Sequence, residues 1–421
     1  MAAAASPVLP QELIVEILSW LPVKPLMRFR CVSKAWYSLI FHPSFIKLHL
    51  QRLPKNTHVL LTFDNYECVT CFTPCSIRRL LENPSSTVID GCHRFKYYNF
   101  VFGVCNGLVC LFDSSHKDGF EEYRIRIWNP ATRIMSEDFP RLRLHSNDCK
   151  VVNYRRACEY TKFGFGYDDL SDTYKVVVIL LYGKSQQREV RVRCLGDPCW
   201  RKILTCPAFP ILKQQLCGQF VDDTVNWLAL RRPGSDYQWE TVAINELVIF
   251  SYDLKKETYG YVLMPDGLSE VPVVEPCLGV LKGCLCLSHD QRRTHFVVWL
   301  TREFGVERSW TRLLNVSYEH FRNHGCPPYY RFVTPLCMSE NEDVLLLAND
   351  EGSEFVFYNL RDNRIDRIQD FDSYKGSLLA WDLGFQEVVC ISVSDSSNDI
   401  SLITQPFVCF HRYAAIIACV K

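Results

Sequence analysis

Cysteine and histidine are the side chains of this chain best suited to metal or nucleophilic chemistry. The nearest approach to a ligand set is Cys68-Val-Thr-Cys71, followed by Cys75 and by Cys92-His93. A structural zinc site needs four ligands converging on a tetrahedron, usually from two tight pairs or comparable knuckles. Only one tight pair stands here, so these cysteines read better as strand residues near a domain junction. His320 and His324 are four apart with Cys326 close behind, which on a helix would put both imidazoles on one face. A zincin needs glutamate directly after the first histidine, and Phe321 stands there. The stretch from Tyr318 to Tyr330, with Pro327-Pro328, reads as an exposed loop. The glycine pairs Gly103/Gly107 and Gly164/Gly166 belong to no phosphate-loop motif and open no helix that could offer its N-terminus to an anion. A Gly-x-Ser-x-Gly elbow is also missing, and the scattered serines and histidines do not assemble into a triad. No catalytic residue, metal or cofactor is expected. The chemistry to look for is recognition.

The strongest candidate for recognition lies near the N-terminus. Residues 9–50 hold three short helical patterns with more apolar side chains than so small a bundle can bury. Leu13, Ile14, Ile17, Leu18 and Leu21 share one face at helical spacing, and Pro22, lacking an N–H, ends that helix. Pro25 suits the first turn of a second helix, on which Leu26, Phe29 and Val32 share a side. Ser33 can cap a third helix bearing Trp36, Leu39 and Ile40, before His42-Pro43 breaks the pattern. A patch of this kind left in water is an aggregation liability, so it is expected to meet a partner.

The same residues resemble the F-box. The match runs through Leu9-Pro10, Glu12-Leu13, Glu16-Ile17-Leu18, Leu21-Pro22-Val23-Lys24, Arg28-Phe29-Arg30-Cys31-Val32-Ser33-Lys34 and Trp36, in the form typical of the large plant family. The resemblance implies a substrate receptor that docks on the Skp-type adaptor of an SCF ubiquitin ligase, and through it on cullin and RING subunits. Adaptor contact is then expected from Leu9, Pro10, Leu13, Ile17, Leu18, Leu21, Pro22, Val23, Leu26, Cys31, Val32 and Trp36, with Lys24 and Arg28 at the rim.

At 421 residues the chain suits one small and one large domain. Lys plus Arg equals Asp plus Glu at 47 each, so no overall field draws it to nucleic acid or an anionic membrane. Residues 1–7 have no charged start and no apolar core of signal-peptide length, and no apolar run approaches the roughly 20 residues of a membrane span. The expected place is the cytoplasm, the nucleus or both. Twenty-one cysteines, an odd number, many alternating with apolar residues as in Cys105, Cys110, Cys284 and Cys286, read as reduced core residues.

Beyond Leu50 helical periodicity gives way to short β-branched and aromatic runs between turns, including 58–63, 107–112, 124–128, 174–181, 190–194, 224–230, 247–252, 284–288, 296–300, 344–348 and 354–359. Two kinds of echo recur. Gly103-Val-Cys-Asn-Gly-Leu-Val-Cys-Leu matches Gly279-Val-Leu-Lys-Gly-Cys-Leu-Cys-Leu. Aromatic strand ends with a polar turn appear at Trp128-Asn129-Pro130, Tyr252-Asp253-Leu254 and Tyr358-Asn359-Leu360. Their spacing fits kelch-like propeller blades of about 50 residues, roughly six of them, with seven or eight left open. The fold class is thus α+β and multidomain, a small helical module followed by an all-β propeller-like domain.

This second region resembles the F-box-associated interaction domain of plant F-box proteins. The matching pieces are Cys105-Asn106-Gly107-Leu108, Trp128-Asn129-Pro130-Ala131-Thr132, Phe163-Gly164-Phe165-Gly166-Tyr167-Asp168, Asp172-Thr173-Tyr174-Lys175-Val176-Val177, Val225-Asn226-Trp227 and Trp310-Thr311. The expected domains are 1–50 helical, 51–100 connecting segment and first strands, and 101–421 propeller. Residues 392–421 match no blade and stand as a closing strand, an amphipathic segment or a variant terminus.

Protein capture is expected on the long connections 141–161, 231–247 and 317–333, because binding residues concentrate on loops held by a rigid scaffold. Tyr154, Arg155, Tyr237, Trp239, Tyr329 and Tyr330 are the candidate anchors, since aromatic and arginine side chains dominate hot spots. Arg188-Glu-Val-Arg-Val-Arg193 alternates charge with valine and reads as a strand with one wet face. The competing reading is a propeller enzyme or a scaffold not coupled to ubiquitin transfer.

Overall fold

A computed structural model of the chain describes residues 9–52, 58–64, 69–76, 93–96, 100–130, 133–136, 139–145, 161–181, 187–207, 209–212, 215–234, 237–303, 309–326, 333–339, 341–349, 355–367 and 388–394. Four helices come first: α1 (Gln11–Ser19), α2 (Val23–Phe29), α3 (Lys34–Ile40) and α4 (Pro43–Arg52). Pro22 is the N-cap of α2, and Ser33 caps α3 by accepting a hydrogen bond from the Trp36 N–H at 3.1 Å. The third helix ends before His42-Pro43 as expected, but a fourth helix not expected from the sequence begins at Pro43. Proline lacks only an N–H that the first helical position leaves unpaired anyway, so it starts a helix as readily as it ends one. The His42 ring accepts from the Ser44 N–H at 3.3 Å and takes the capping role. Leu18, Leu26, Ile40 and Phe45 form the core of this bundle.

The strands that follow make six sheets among the described residues. The second to sixth are antiparallel meanders, each in sequence order. One holds β4 (Phe100–Cys105), β5 (Leu108–Lys117), β6 (Phe120–Asn129) and β7 (Ile134–Met135), with β8 (Leu142–His145) also paired to β6. The next holds β9 (Thr161–Asp168), β10 (Thr173–Leu181), β11 (Gln187–Cys194) and β12 (Arg201–Pro207). A fourth holds β13 (Gln219–Val221), β14 (Thr224–Leu230), β15 (Leu247–Asp253) and β16 (Thr258–Leu263). The fifth holds β17 (Cys277–Leu281), β18 (Cys284–Gln291), β19 (His295–Thr301) and β20 (Trp310–Ser317). The sixth holds β21 (Val333–Met338), β22 (Val344–Asn349), β23 (Phe355–Asn359) and β24 (Ile365–Arg367). The remaining sheet joins the two ends of the chain: β1 (His58–Asp64), β2 (Val69–Ser76) and β3 (His93–Lys96) pair with β25 (Val388–Ser394), which runs parallel to β1. Among the described residues the architecture is a six-bladed β-propeller. Residues 388–394 supply the closing strand, and residues 395–421 lie outside the described residues.

Both sequence echoes land on equivalent places. The Gly103 and Gly279 echoes are the first two strands of their blades, joined by two-residue turns at Asn106-Gly107 and Lys282-Gly283 with positive φ throughout. Asp222-Asp223 makes the same turn in the fourth blade. Both central residues of such a turn need positive φ, which twists the hairpin to match its strands. The aromatic echoes end third strands, where Asp253 and Asn359 side chains accept from backbone N–H groups two and three residues on.

First strands lie so close to the strands of the next blade that side chains must be missing. A Cβ on Gly103 would strike Phe165, and one on Gly164 would strike Val225 and Trp227. Around these contacts the sheets stack face to face over buried Trp128, Phe163, Trp227 and Tyr252. Cys105, Cys110 and Cys286 are buried thiols outside any disulfide, and Cys284 is half-buried. The burial also corrects the wet-face reading of β11. Arg188 is 1 % exposed, its Nε donating to the Phe209 carbonyl at 2.7 Å, and Arg193 stacks on the Phe139 ring at 4.0 Å. Burial pushes the Arg188 guanidinium down to about 10. A central strand between neighbouring blades has no free face, whatever its alternation suggests.

Candidate docking surfaces

The helical module divides its apolar residues into two sets. Leu13, Ile17 and Val32 are 49 %, 53 % and 60 % exposed, and Leu9, Pro10, Pro22 and Cys31 are exposed with them. Leu21 and Trp36 are half-buried. Leu18, Val23 and Leu26 are buried, at 2 %, 7 % and 3 %. These three are corrected from contact residues to buried residues, Leu18 and Leu26 packing with Ile40 of α3 and Phe45 of α4 in the core of the bundle.

One residue of this surface was missed in the sequence. Trp20 is 55 % exposed, and its Nε1 donates to Glu16 Oε1 at 3.2 Å. Arg52 of α4 reaches the other Glu16 oxygen at 2.6 Å and places its guanidinium 5.6 Å from the Trp20 ring centre. Hydrogen bonds from Arg52 and Trp20 hold the Glu16 carboxyl below its usual range. The signal was legible: Trp20 follows Ile17 by three and Glu16 by four, which puts all three side by side on a helix. His49 Nε2 hydrogen-bonds the Leu21 carbonyl at 2.9 Å and ties α4 to the end of α1.

Side-chain pairs define the two faces of the propeller. Lys255, in the turn after β15, reaches Asp169 at 2.5 Å and Asp223 at 2.6 Å, in the first hairpins of two blades. First-to-second and third-to-fourth turns therefore share a face. Lys47 of α4 meets Asp172, in the β9–β10 turn, at 2.9 Å, so the helical module sits on that face. Because strands alternate in direction, the second-to-third loops and the crossovers between blades lie on the opposite face.

The candidate capture residues fall unevenly. Tyr154, Arg155, Tyr329 and Tyr330 lie outside the described residues. Tyr237 is buried and donates to Glu275 Oε1 at 2.5 Å, and Trp239 Nε1 donates to the Pro272 carbonyl at 2.8 Å. Both are corrected from free anchors to clamps, holding the 231–246 loop against the crossover from β16 to β17. The loop reading is also corrected over its first part: Tyr318–Asn323 is a helix, α5, capped by Ser317, and residues 327–330 lie outside the described residues. The His320 ring bonds the Asn363 carbonyl at 2.7 Å, and the His324 ring bonds the His320 carbonyl at 2.9 Å. Cys68 and Cys92 lie outside the described residues. Among the described residues no three His, Cys, Asp or Glu side chains gather as a metal-binding set, and no helix is long and apolar enough to cross a membrane.

A four-helix module with an open apolar edge, joined to a six-bladed propeller, defines a class of two-part binding protein. Residues 7–48 match the F-box domain and residues 76–395 the F-box associated beta propeller domain, so the chain belongs to the F-box proteins that carry this associated propeller. It is 29 % identical over 372 residues to F-box/kelch-repeat protein At3g23880 of Arabidopsis thaliana, covering 85 % of this chain and 89 % of that protein. It is 27 % identical over 397 residues to F-box protein CPR1 of the same plant, covering 88 % and 87 %. Among solved structures, the β-propeller domain of the Trilobed protease from Pyrococcus furiosus aligns at a TM-score of 0.35 and 10 % identity, covering 66 % of this chain and 72 % of that one. That likeness is too distant to carry an argument.

Proposed function

We propose that the chain is the non-catalytic substrate-recognition subunit of an SCF-type ubiquitin ligase. The helical module docks a Skp-type adaptor, and through it cullin and RING subunits, while the propeller captures a protein for ubiquitination in the cytoplasm or nucleus. The observation that carries this reading is the exposed row of Leu9, Leu13, Ile17, Trp20 and Val32 on a bundle whose own core is already filled by other residues. Burying one Leu or Ile of that row contributes on the order of 1.5–3 kcal/mol. Family membership supports the same direction.

The test is co-expression with a plant Skp-type adaptor and cullin, followed by pull-down beside the Leu13→Asp/Ile17→Asp double mutant. Wild type should co-purify with the adaptor, and the double mutant should lose it while its propeller stays folded by circular dichroism. Equal recovery of adaptor by both would sink the reading.

A further inference from the structure

The face opposite the helical module carries a cavity of about 130 Å³. Its wall is the β16–β17 crossover, and its floor is formed by the ends of β18 and β19. His289, only 8 % exposed, lines it. The Trp299 indole N–H donates to His289 Nε2 at 3.2 Å. An indole N–H can only donate, so Nε2 must accept, and the neutral imidazole carries its proton on Nδ1. Burial, the largest influence, lowers the pKa of His289, while the Asp290 backbone and Glu270 act the other way. The Nδ1 atom has no hydrogen-bond partner, and neither does the buried Oε1 of Glu270 on the same cavity, although that oxygen lies 2.8 Å from Arg292 Nε in an ion pair. A buried donor left open is costly unless something fills it, and the Glu270 oxygen keeps a lone pair for a second donor beside Arg292.

The charge and size of the lining narrow the class of group that fits. Arg292 and Arg312 are balanced by Glu270 and Asp290, so an ionic group of either sign meets like charge. At about 30 Å³ per water the space holds about four waters, or a side chain of four or five heavy atoms. Leu268, Val271, Val297 and Trp299 supply apolar wall for a methylene stem. We propose that this cavity recognises a primary carboxamide, the side chain of Asn or Gln on a captured protein. Its carbonyl meets His289 Nδ1–H and its NH2 meets Glu270 Oε1. The inference deepens the receptor reading and rests on it for the identity of the ligand as a protein segment. Trp239, through its bond to the Pro272 carbonyl, acts as a positioning residue for the wall.

The test uses the full chain and the peptides Ac-Ala-Ala-Xaa-Ala-Ala-NHMe, with Xaa as Gln, Asn, Glu, Met or Ala, titrated by ligand-detected NMR. Gln or Asn should bind on the order of tenfold tighter than Glu, Met or Ala, because a site built to hydrogen-bond rejects analogues that leave its groups unpaired. His289→Phe and Glu270→Leu should each erase that preference. Glu270 is partly exposed, so its variant keeps the fold even if the histidine variant does not. Equal binding of Glu would overturn the proposal in favour of charge, and equal or no binding across the series would overturn it in favour of a water-filled cavity. Adaptor pull-down on the same variants separates the two readings. Gln preference without adaptor binding by wild type would remove the ligase role and leave the pocket standing.

Discussion

Lys175 Nζ lies 2.9 Å from Asp168 Oδ2, and both side chains are almost fully buried in the hairpin of β9 and β10. The same ammonium reaches Glu257 at 3.0 Å and the Leu254 carbonyl at 2.7 Å, in the turn between β15 and β16. Arg201 of β12 joins Glu257 at 3.0 Å. One cation therefore staples the third blade to the fourth, on the face that holds the helical module. Replacing it leaves the buried Asp168 without a cation, while Glu257 keeps Arg201. Lys175→Met is expected to lower the unfolding free energy by about 3–5 kcal/mol, the cost of breaking a buried pair by removing one partner. Urea denaturation followed by tryptophan fluorescence measures it, and a loss of under about 1 kcal/mol would mean that the charges are solvated.

The pair also sets an acid limit. Burial alone would raise the Asp168 carboxyl, but hydrogen bonds from Ser171 and Lys175 outweigh it and bring the group from an ordinary 3.8 down to about 2. A carboxyl lowered on folding stabilises the native state fully above its unfolded value. That contribution fades as pH falls from about 3.8 through about 2. Unfolding midpoints in urea should therefore fall between pH 4 and 2 more steeply for wild type than for Asp168→Asn. Parallel slopes would assign the acid sensitivity to other carboxyls.

Near the propeller axis the expected costs follow the close approach of the first strands β4 and β9 to the next blade. Gly103→Ala and Gly164→Ala each force a methyl into a neighbour's side chain and should destabilise by about 1–3 kcal/mol, as overpacking does. Gly260 in β16 is the control, because a methyl added there meets nothing within 4 Å. Gly260→Ala should leave the melting temperature unchanged or raise it slightly, through the lower entropy of the unfolded chain.

What the sequence disclosed and what it hid follow from where strands lie in a blade. Val176 to Leu180, Val225 to Leu230 and Leu247 to Tyr252 are second and third strands, covered on both faces, and their mostly apolar runs, broken only by Asn226 and Ser251, were legible. Outer strands carry no such signal: Tyr259 and Leu263 of β16 are exposed, and their turn-like glycine obscures them further. Val388–Ser394 could not be assigned because its partner, β1, lies at the other end of the chain, and no local pattern encodes that pairing. Arg188 was misplaced because alternation reports polarity, whereas its burial depends on the Phe209 carbonyl that receives it. In the helical module the apolar stripe was plain, but dividing it into core and surface required α4, which the proline at position 43 had concealed.

That division makes a direct prediction. Leu18→Ala removes a filled core position and should destabilise the helical module by about 2–5 kcal/mol. Leu13→Ala, at a half-exposed position, should change stability by no more than about 0.5 kcal/mol, yet weaken adaptor binding by roughly tenfold or more. Paired thermal melts and adaptor titrations separate the two effects. If Leu13→Ala left the adaptor affinity untouched, the docking row would have to be redrawn.

The ion pair of Lys47 with Asp172 is an exposed contact, and such pairs are weak and screened by salt. Its geometry nonetheless gives it a positional role. Tyr167 donates to the other Asp172 oxygen and fixes the acceptor, while hydrogen bonds from Lys47 and Tyr167 hold the Asp172 carboxyl below its ordinary range. The pair marks where α4 of the helical module touches the β9–β10 turn of the propeller. Lys47→Glu places like charges together and should broaden the small-angle scattering distance distribution of the intact chain without lowering its melting temperature. The charge swap Lys47→Glu/Asp172→Lys should restore the narrow distribution, and high salt should broaden wild type alone toward the Lys47→Glu profile. An unchanged distribution in Lys47→Glu would show that the link between α4 and β1, rather than this pair, sets the angle.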